Sequence, residues 1–166
     1  MSGPSVRLRA ATQADLDWIV ALEQSPGNVS FLCAWSPDRH AAGLAQDDKR
    51  YLVFEDAEGA RRGFAILTGL RSPERAVELV RIAVDAPGQG LGTAALSRLV
   101  AHVFDGLGAA RLFLDVFDDN ERARRAYRRL GFREEQVLPA GARRQDGTLG
   151  RLVIMGMAAG ERPATD

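Results

Sequence analysis

A glycine-rich turn in the middle of the chain constrains this sequence more than anything else in it. Asp85-Ala86-Pro87-Gly88-Gln89-Gly90-Leu91-Gly92-Thr93 follows an apolar run from Val77 to Val84. It opens a segment in which Leu91, Ala95, Leu99 and Val103 share one helical face. A strand that turns through glycines into a helix leaves backbone N–H groups unpaired at a partly positive helix end. Glycines also remove the Cβ atoms that would hold a phosphate away. The loop is therefore either a plain tight turn or a phosphate cradle. As a cradle it fits a dinucleotide fingerprint, because Gly90-Leu91-Gly92-Thr93-Ala94-Ala95 reads G-x-G-x-x-A and Asp115 follows as a ribose ligand. That reading gives an NAD(P)-dependent oxidoreductase. The fingerprint normally opens a βαβ fold, however, and here more than 80 residues come first.

The rest of the chain is punctuated by turn and cap signals. Val6 to Arg9 alternates as a short strand, and Thr12 with Asp15 starts a helix running to about Gln24. Ser36-Pro37 caps a second short helix toward Gln46. Strands are expected at Tyr51 to Glu55, Gly63 to Leu67 and Val77 to Val84. After the glycine loop and its helix come a strand from Arg111 to Phe117, a helix from Asn120 to Leu130, and strands from Phe132 to Leu138 and Arg151 to Met157. Two helices after one strand, a run of strands, then β-α-β-α-β indicate a mixed α+β domain over residues 6–157. Residues 1–5 and 158–166 have tail composition.

Composition removes several classes of function. Lys+Arg and Asp+Glu are 22 each, which leaves no global drive toward nucleic acid or acidic membranes. The single cysteine, Cys33, excludes an internal disulfide and a cysteine-pair metal knuckle, and His40 and His102 stand alone, so no metal is expected. No apolar run reaches the ~18 residues of a membrane span, and the N-terminus lacks a signal peptide's hydrophobic stretch. A cytoplasmic protein is expected.

One segment remains, and the dinucleotide reading leaves it unexplained. Asn120, Ala123, Tyr127, Gly131 and Phe132 form N-x-x-A-x-x-x-Y-x-x-x-G-F at the expected separation from Pro87-Gly88-Gln89-Gly90-Leu91-Gly92. The pair of motifs resembles the GNAT superfamily of acetyl-CoA-dependent N-acetyltransferases. The likeness spans Val6 to Met157 and is nearest the branch of ribosomal-protein N-terminal and polyamine acetyltransferases. One departure is that Pro87 stands where the loop usually begins with Arg or Gln. The resemblance implies a twisted, mostly antiparallel mixed sheet of about six or seven strands flanked by about four helices, with a splayed central parallel pair. It also implies acetyl-CoA as cosubstrate, a primary amine acceptor (small molecule or protein/peptide N-terminus) and direct attack in a ternary complex, and it allows a homodimer. A GNAT-like module that binds CoA without turnover is the alternative of a different class.

The amine must be neutral to attack a thioester, whereas a lysine-type amine has a pKa of about 10.4 and an α-amine about 8. By resemblance, Glu78 is the candidate base; it reads equally as a solvated strand glutamate or a partner of Arg81 or Arg7. A strand bulge would change the face it shares. Tyr127 is the candidate acid toward the CoA sulfur, or else a core aromatic. The backbone of Ile82, Ala83 and Val84 should pair with pantetheine, Gly88, Gln89, Gly90, Leu91, Gly92 and Thr93 should hold the pyrophosphate, and Asn120 with Ala123 should meet the pantetheine arm. Asn120 also suits a helix N-cap. Among Arg122, Arg124, Arg125, Arg128 and Arg129, Arg125 is the choice for the nucleotide phosphates, the rest forming a solvated face. Phe31 and Trp35 are acceptor-pocket candidates, with residues 139–148 as the opposite wall.

Overall fold

The computed structural model describes residues 3–25, 34–86, 88–144 and 146–163. Seven strands form one sheet in the order β1-β2-β3-β4-β5-β7-β6: β1 Arg7–Ala10, β2 Arg50–Glu55, β3 Arg61–Thr68, β4 Ala76–Val84, β5 Arg111–Phe117, β6 Arg133–Arg143 and β7 Leu149–Ala158. Among the described residues four α-helices flank it: α1 Leu16–Glu23, α2 Pro37–Leu44, α3 Leu91–Ala101 and α4 Glu121–Arg129. The α+β architecture expected from the resemblance is the one observed. A dinucleotide-binding fold would need a parallel sheet, and among the described residues only β4 and β5 run parallel. The oxidoreductase reading therefore fails on topology.

Local chemistry explains most element ends. The Asp15 carboxylate accepts from the Thr12 backbone N–H at 2.8 Å, so a single 3-10 turn leads into α1. The Ser36 hydroxyl accepts from Arg39 N–H at 3.1 Å, and Pro37 takes the first turn of α2, where its missing donor does no harm. Asn120 accepts from Ala123 N–H at 3.2 Å and caps α4. Beyond Ala101, α3 continues as a π turn through His102–Gly106 before Gly108, at φ 67°, ends it.

The sheet has a core on each face. Leu91, Ala95, Leu96 and Leu99 of α3 and Tyr127 of α4 pack against Leu79, Leu112, Leu114 and Met155 on one side. Ile19 and Leu22 of α1 pack on Tyr51, Phe64, Ile66 and Ala83 on the other. A bulge in β4 governs how its residues divide between the two. Leu79 faces Leu67 and Arg81 faces Ile66 across β3, so Val80 is the extra residue. Leu79, Ile82 and Val84 thus serve the α3–α4 face, whereas Val80 and Ala83 pack on the α1 side, where Arg81 also finds its partner.

Residues 158–163 make specific contacts with the rest of the fold. Ala159 N–H donates to Ala110 O at 2.9 Å, Arg162 pairs with Asp105 at 2.7 Å, and Pro163 covers Gly131. Backbone and ion-pair groups, not an apolar periodicity, make these contacts. No helix among the described residues is long and apolar enough to cross a membrane.

Candidate active site

The parallel ladder between β4 and β5 runs only from Ala76↔Arg111 to Leu79↔Leu114. After that the strands diverge, because β4 bulges at Val80 while β5 stays in register with β7 through Phe117↔Leu152. The divergence opens a cleft of about 630 Å³ through the sheet. Leu79 to Val84 form one wall and Leu114 to Phe117 the other.

The α3–α4 end of this cleft is built mostly from backbone. Gly88 and Gly90 take φ values of 90° and 80°, and space lies open where a Cβ would stand on either. Gly90 is the N-cap of α3 and makes no side-chain cap bond, so the first N–H groups of the helix receive no acceptor from their cap. Gly88, Gly90, Gly92 and Thr93 lie on the cleft wall. Gln89 is exposed and off the wall, and the Leu91 side chain is buried in the core, so Leu91 has only its backbone to offer. Pro87 lies outside the described residues.

Helix α4 divides its arginines by facing. Arg122, Arg125 and Arg129 line the cleft. Arg124 and Arg128 turn to β6, where both bind Glu134 at 2.7 and 2.5 Å. Spacings of three and four residues put the first trio on one helical stripe. Asn120 and Ala123 line the cleft too, so Asn120 caps its helix and borders the cavity at once. An open glycine cradle, a helix N-terminus and three guanidinium groups along one cavity suit a long phosphorylated cosubstrate.

Carboxylates and a phenol mark the middle and the α1–α2 end. Tyr127 is nearly buried, edge-on to Phe132 at 5.7 Å, and lines the cleft. Burial first, and the charge of Asp115 second, push its phenol up to about 12, so it remains a proton donor through the neutral range. Glu78 lies on β4 opposite Phe113 but is not part of the cleft wall. Asp115, two residues beyond Phe113 on the same sheet face, is part of it. Solvent reaches Asp115 through the cleft mouth, yet the protein flanking it replaces enough water to raise its carboxyl above the ordinary range, with Arg81 pulling the other way. The Glu78 carboxyl is raised as well, by burial and then by Asp115, against the pull of Lys49.

Neither Arg81 nor Arg7 pairs with Glu78: Arg81 binds Glu23 at 2.5 Å and Arg7 binds Glu55 at 2.8 Å. Trp35 is not on the cleft wall but stacks under Arg81, which is, at 4.2 Å. Phe31 lies outside the described residues. The opposite wall includes Gly141, Ala142 and Arg143 of β6, within the stretch expected to shape the acceptor side. His40, read as an isolated histidine, is fully buried against Glu23 and Tyr51. Sequence reasoning missed that cluster because its members come from four separate elements. Asp115 carried a visible signal, but the dinucleotide reading gave it a different chemistry.

Comparison with known proteins agrees with this geometry. A family model described as Acetyltransferase (GNAT) family matches residues 16–132. The spermidine N(1)-acetyltransferase of Escherichia coli K12 is 28% identical over 149 residues, covering 82% of this chain and 77% of the relative. A 5-NmdU N-acetyltransferase of Pseudomonas phage PaMx11 is 36% identical over 86 residues, 51% of this chain and 59% of that one. Among solved structures, the Vibrio cholerae spermidine N-acetyltransferase in complex with CoA and spermine superposes with a TM-score of 0.82 at 23% identity, covering 94% and 96% of the two chains. The ribosomal-protein-S18-alanine N-acetyltransferase of Escherichia coli gives 0.76 at 24% identity, covering 98% and 97%. These two structures establish likeness of fold.

Proposed function

The chain belongs to the GNAT acetyltransferase family, and from that premise we propose that it moves an acetyl group from acetyl-CoA to a primary amine, with Asp115 and Tyr127 handling the protons. The observation that carries the reading is the short β4–β5 ladder. It opens one cleft with phosphate-binding features at one end and a raised carboxylate at the other.

Gly88 to Thr93, with the N-terminus of α3, would hold the pyrophosphate, while Arg122, Arg125 and Arg129 would meet further phosphate charge. Ile82, Ala83 and Val84 offer the edge of β4 to the pantetheine amides as a neighbouring strand would, with Asn120 and Ala123 facing them. Bound there, the cosubstrate supplies an activated thioester carbonyl. The acceptor enters from the α1–α2 side as an ammonium, between Arg81, which Trp35 backs, and the β6 wall. Asp115 takes its proton, directly or through a water, and the freed lone pair forms the C–N bond as the C–S bond breaks. Tyr127 donates to the departing sulfur, where negative charge develops, and the second proton that nitrogen sheds as the amide forms restores the phenol, directly or through a water. Glu78, behind Asp115 on the same face, keeps this end attractive to a cation. It is also the alternative base.

The acceptor is a small-molecule amine or a peptide N-terminus. Spermidine is the first to try, given the relative named for it, then an alanine-terminated peptide and an aminomethyl nucleoside. A cytoplasmic setting and a homodimer belong to the same proposal, the latter checked by analytical ultracentrifugation. The decisive experiment is a thermal-shift comparison of acetyl-CoA, CoA, NAD and NADP, followed by thiol release with those amines. Stabilisation by acetyl-CoA and CoA, with amine-dependent thiol release, is expected. Stabilisation by acetyl-CoA without release from any amine would make this a binding module.

A further inference from the structure

Behind the acceptor end of the cleft lies a buried charged cluster that phosphate binding and proton transfer leave unused. Glu23, the last residue of α1, and His40 of α2 have no exposed surface, and Arg81 of β4 is 7% exposed. One Glu23 oxygen accepts from Arg81 Nη1 at 2.5 Å and the other is bonded to His40 Nε2. On the far side of the ring, His40 Nδ1 meets the Tyr51 hydroxyl at 3.0 Å. Burial, then the charge of Glu23, push that phenol up to about 12, against Arg81 and Arg39, so it stays a donor. A proton on Nε2, toward Glu23, would leave Nδ1 to accept from the Tyr51 hydroxyl. Trp35 packs against Arg81 at 4.2 Å, Arg39 at 3.8 Å and the His40 ring at 5.4 Å.

Burying an ionised carboxylate and a guanidinium together is a poor way to gain stability, because desolvation offsets most of their attraction. An apolar pair would pack the two cores as well. What the cluster does accomplish is to fix one cation at one place. The β4 bulge turns Arg81 to the α1 side just where β4 leaves β5, and Arg81 and Asp115 line opposite walls of the same cleft.

We propose that Glu23 and Arg81 form a positioning pair, in which Glu23 pins the guanidinium across the cleft from Asp115 and the pinned charge keeps that carboxylate ionised and ready to take the amine proton. Among the described residues, Arg81 and Glu78 from β4 and Tyr127 from α4 act on or feel Asp115, and Arg143 of β6 lines the same cleft. Glu23 and His40 stand behind Arg81, and Lys49 acts on Glu78. Burial lifts the Asp115 carboxyl and Arg81 opposes that lift. Without the pinned cation, Asp115 would hold its proton further into the working range and could not accept another.

The inference rests on Asp115 as base, and the test separates the two ideas. Carbon NMR titration of the Asp115 carboxyl in the full chain, without any acceptor, reads the pinned charge directly. Arg81→Met should move the midpoint up by about one pH unit, and Arg81→Lys by less. Glu23→Gln keeps an amide oxygen for Arg81 but removes the compensating negative charge, so the midpoint should fall. Glu23→Ala releases the guanidinium, and the midpoint should rise as in Arg81→Met. Opposite movements of the two Glu23 variants support the pair. Unmoved midpoints, or movement in one direction only, with melting curves that still show cooperative unfolding, overturn it. Variants that do not fold are replaced by Tyr51→Phe, which loosens His40 without removing charge and should shift the midpoint upward slightly; no shift there counts against the pair. Asp115→Asn tests the premise with spermidine, the alanine-terminated peptide and the aminomethyl nucleoside. Retained thiol release would remove Asp115 as base and leave the midpoint data standing.

Discussion

The two ends of the cleft are built on opposite plans. At the α3–α4 end, one continuous stretch supplies the cradle, through glycine backbone at φ near 80–90° and the N-terminus of the helix it opens. At the α1–α2 end, Glu23, His40, Arg81 and Asp115 come from four elements and act through side chains. In the proposed reaction the first end meets charge with groups that do not titrate near neutrality, so it should be indifferent to pH. The second depends on Asp115, whose carboxyl is raised from its ordinary range, so its behaviour should follow pH closely.

The largest effect expected from breaking this contrast is Asp115→Asn. If Asp115 is the base, kcat should fall by roughly 10²–10⁴-fold at neutral pH, with partial rescue as rising pH delivers more neutral amine. Acetyl-CoA binding, read by thermal shift, should hardly change. The sign for stability is opposite. A carboxyl raised by folding adds stability below its unfolded value and loses it as pH rises through the folded one. Asp115→Asn should therefore melt higher than the parent at pH 8 and the same at pH 3. Running Glu78→Gln beside it assigns the base: whichever variant shows the larger, pH-rescuable loss carries the role.

Tyr127→Phe should come next, with a slower release of thiol that high pH does not rescue, because the missing proton is needed by sulfur rather than nitrogen. A rescue equal to that of Asp115→Asn would place the phenol on the amine side.

At the other end, Gly90→Val combines a strained positive φ with a side chain in the cradle. Arg125→Gln removes a charged donor worth about 1.5–3 kcal/mol where it meets phosphate. Both should raise the KM for acetyl-CoA, by about tenfold or more for Arg125→Gln, while the pH profile keeps its shape. A moved acidic limb in either would show that the two ends are not independent.

The smallest effect should be Arg124→Ala. Arg124 binds Glu134 and Glu121 outside the cleft, and exposed pairs of this kind contribute about 0.2–1 kcal/mol. A melting temperature a few degrees lower with unchanged acetyl-CoA binding is expected. A tenfold change in that binding would mean that the facing of α4 depends on the ion pair.

How much of this could be read from the chain alone follows the same division. The glycine loop, the caps at Ser36 and Asn120, and the α4 motif were legible because each is local: backbone conformation, capping and helical facing depend on residues within a turn or two of one another. The five arginines of α4 were visible, but only the fold sorts Arg122, Arg125 and Arg129 from Arg124 and Arg128, since the sorting depends on where β6 lies. The position of Glu78 on its strand was legible, whereas its facing was not. One extra residue at Val80 reverses the alternation that follows, and nothing in the residue types announces the bulge.

The sequence by itself determined the family, the α+β class and a glycine turn at the head of α3, because short-range sterics and hydrogen bonding are encoded in neighbouring residues. Tertiary structure alone decided that Asp115 rather than Glu78 lies on the cleft wall, and that Glu23, His40, Tyr51 and Arg81 form one buried cluster. Residues as far apart in the chain as Glu23 and Arg81 meet only when two layers close over the sheet, and the charge of each acts over ångströms of space rather than positions of sequence.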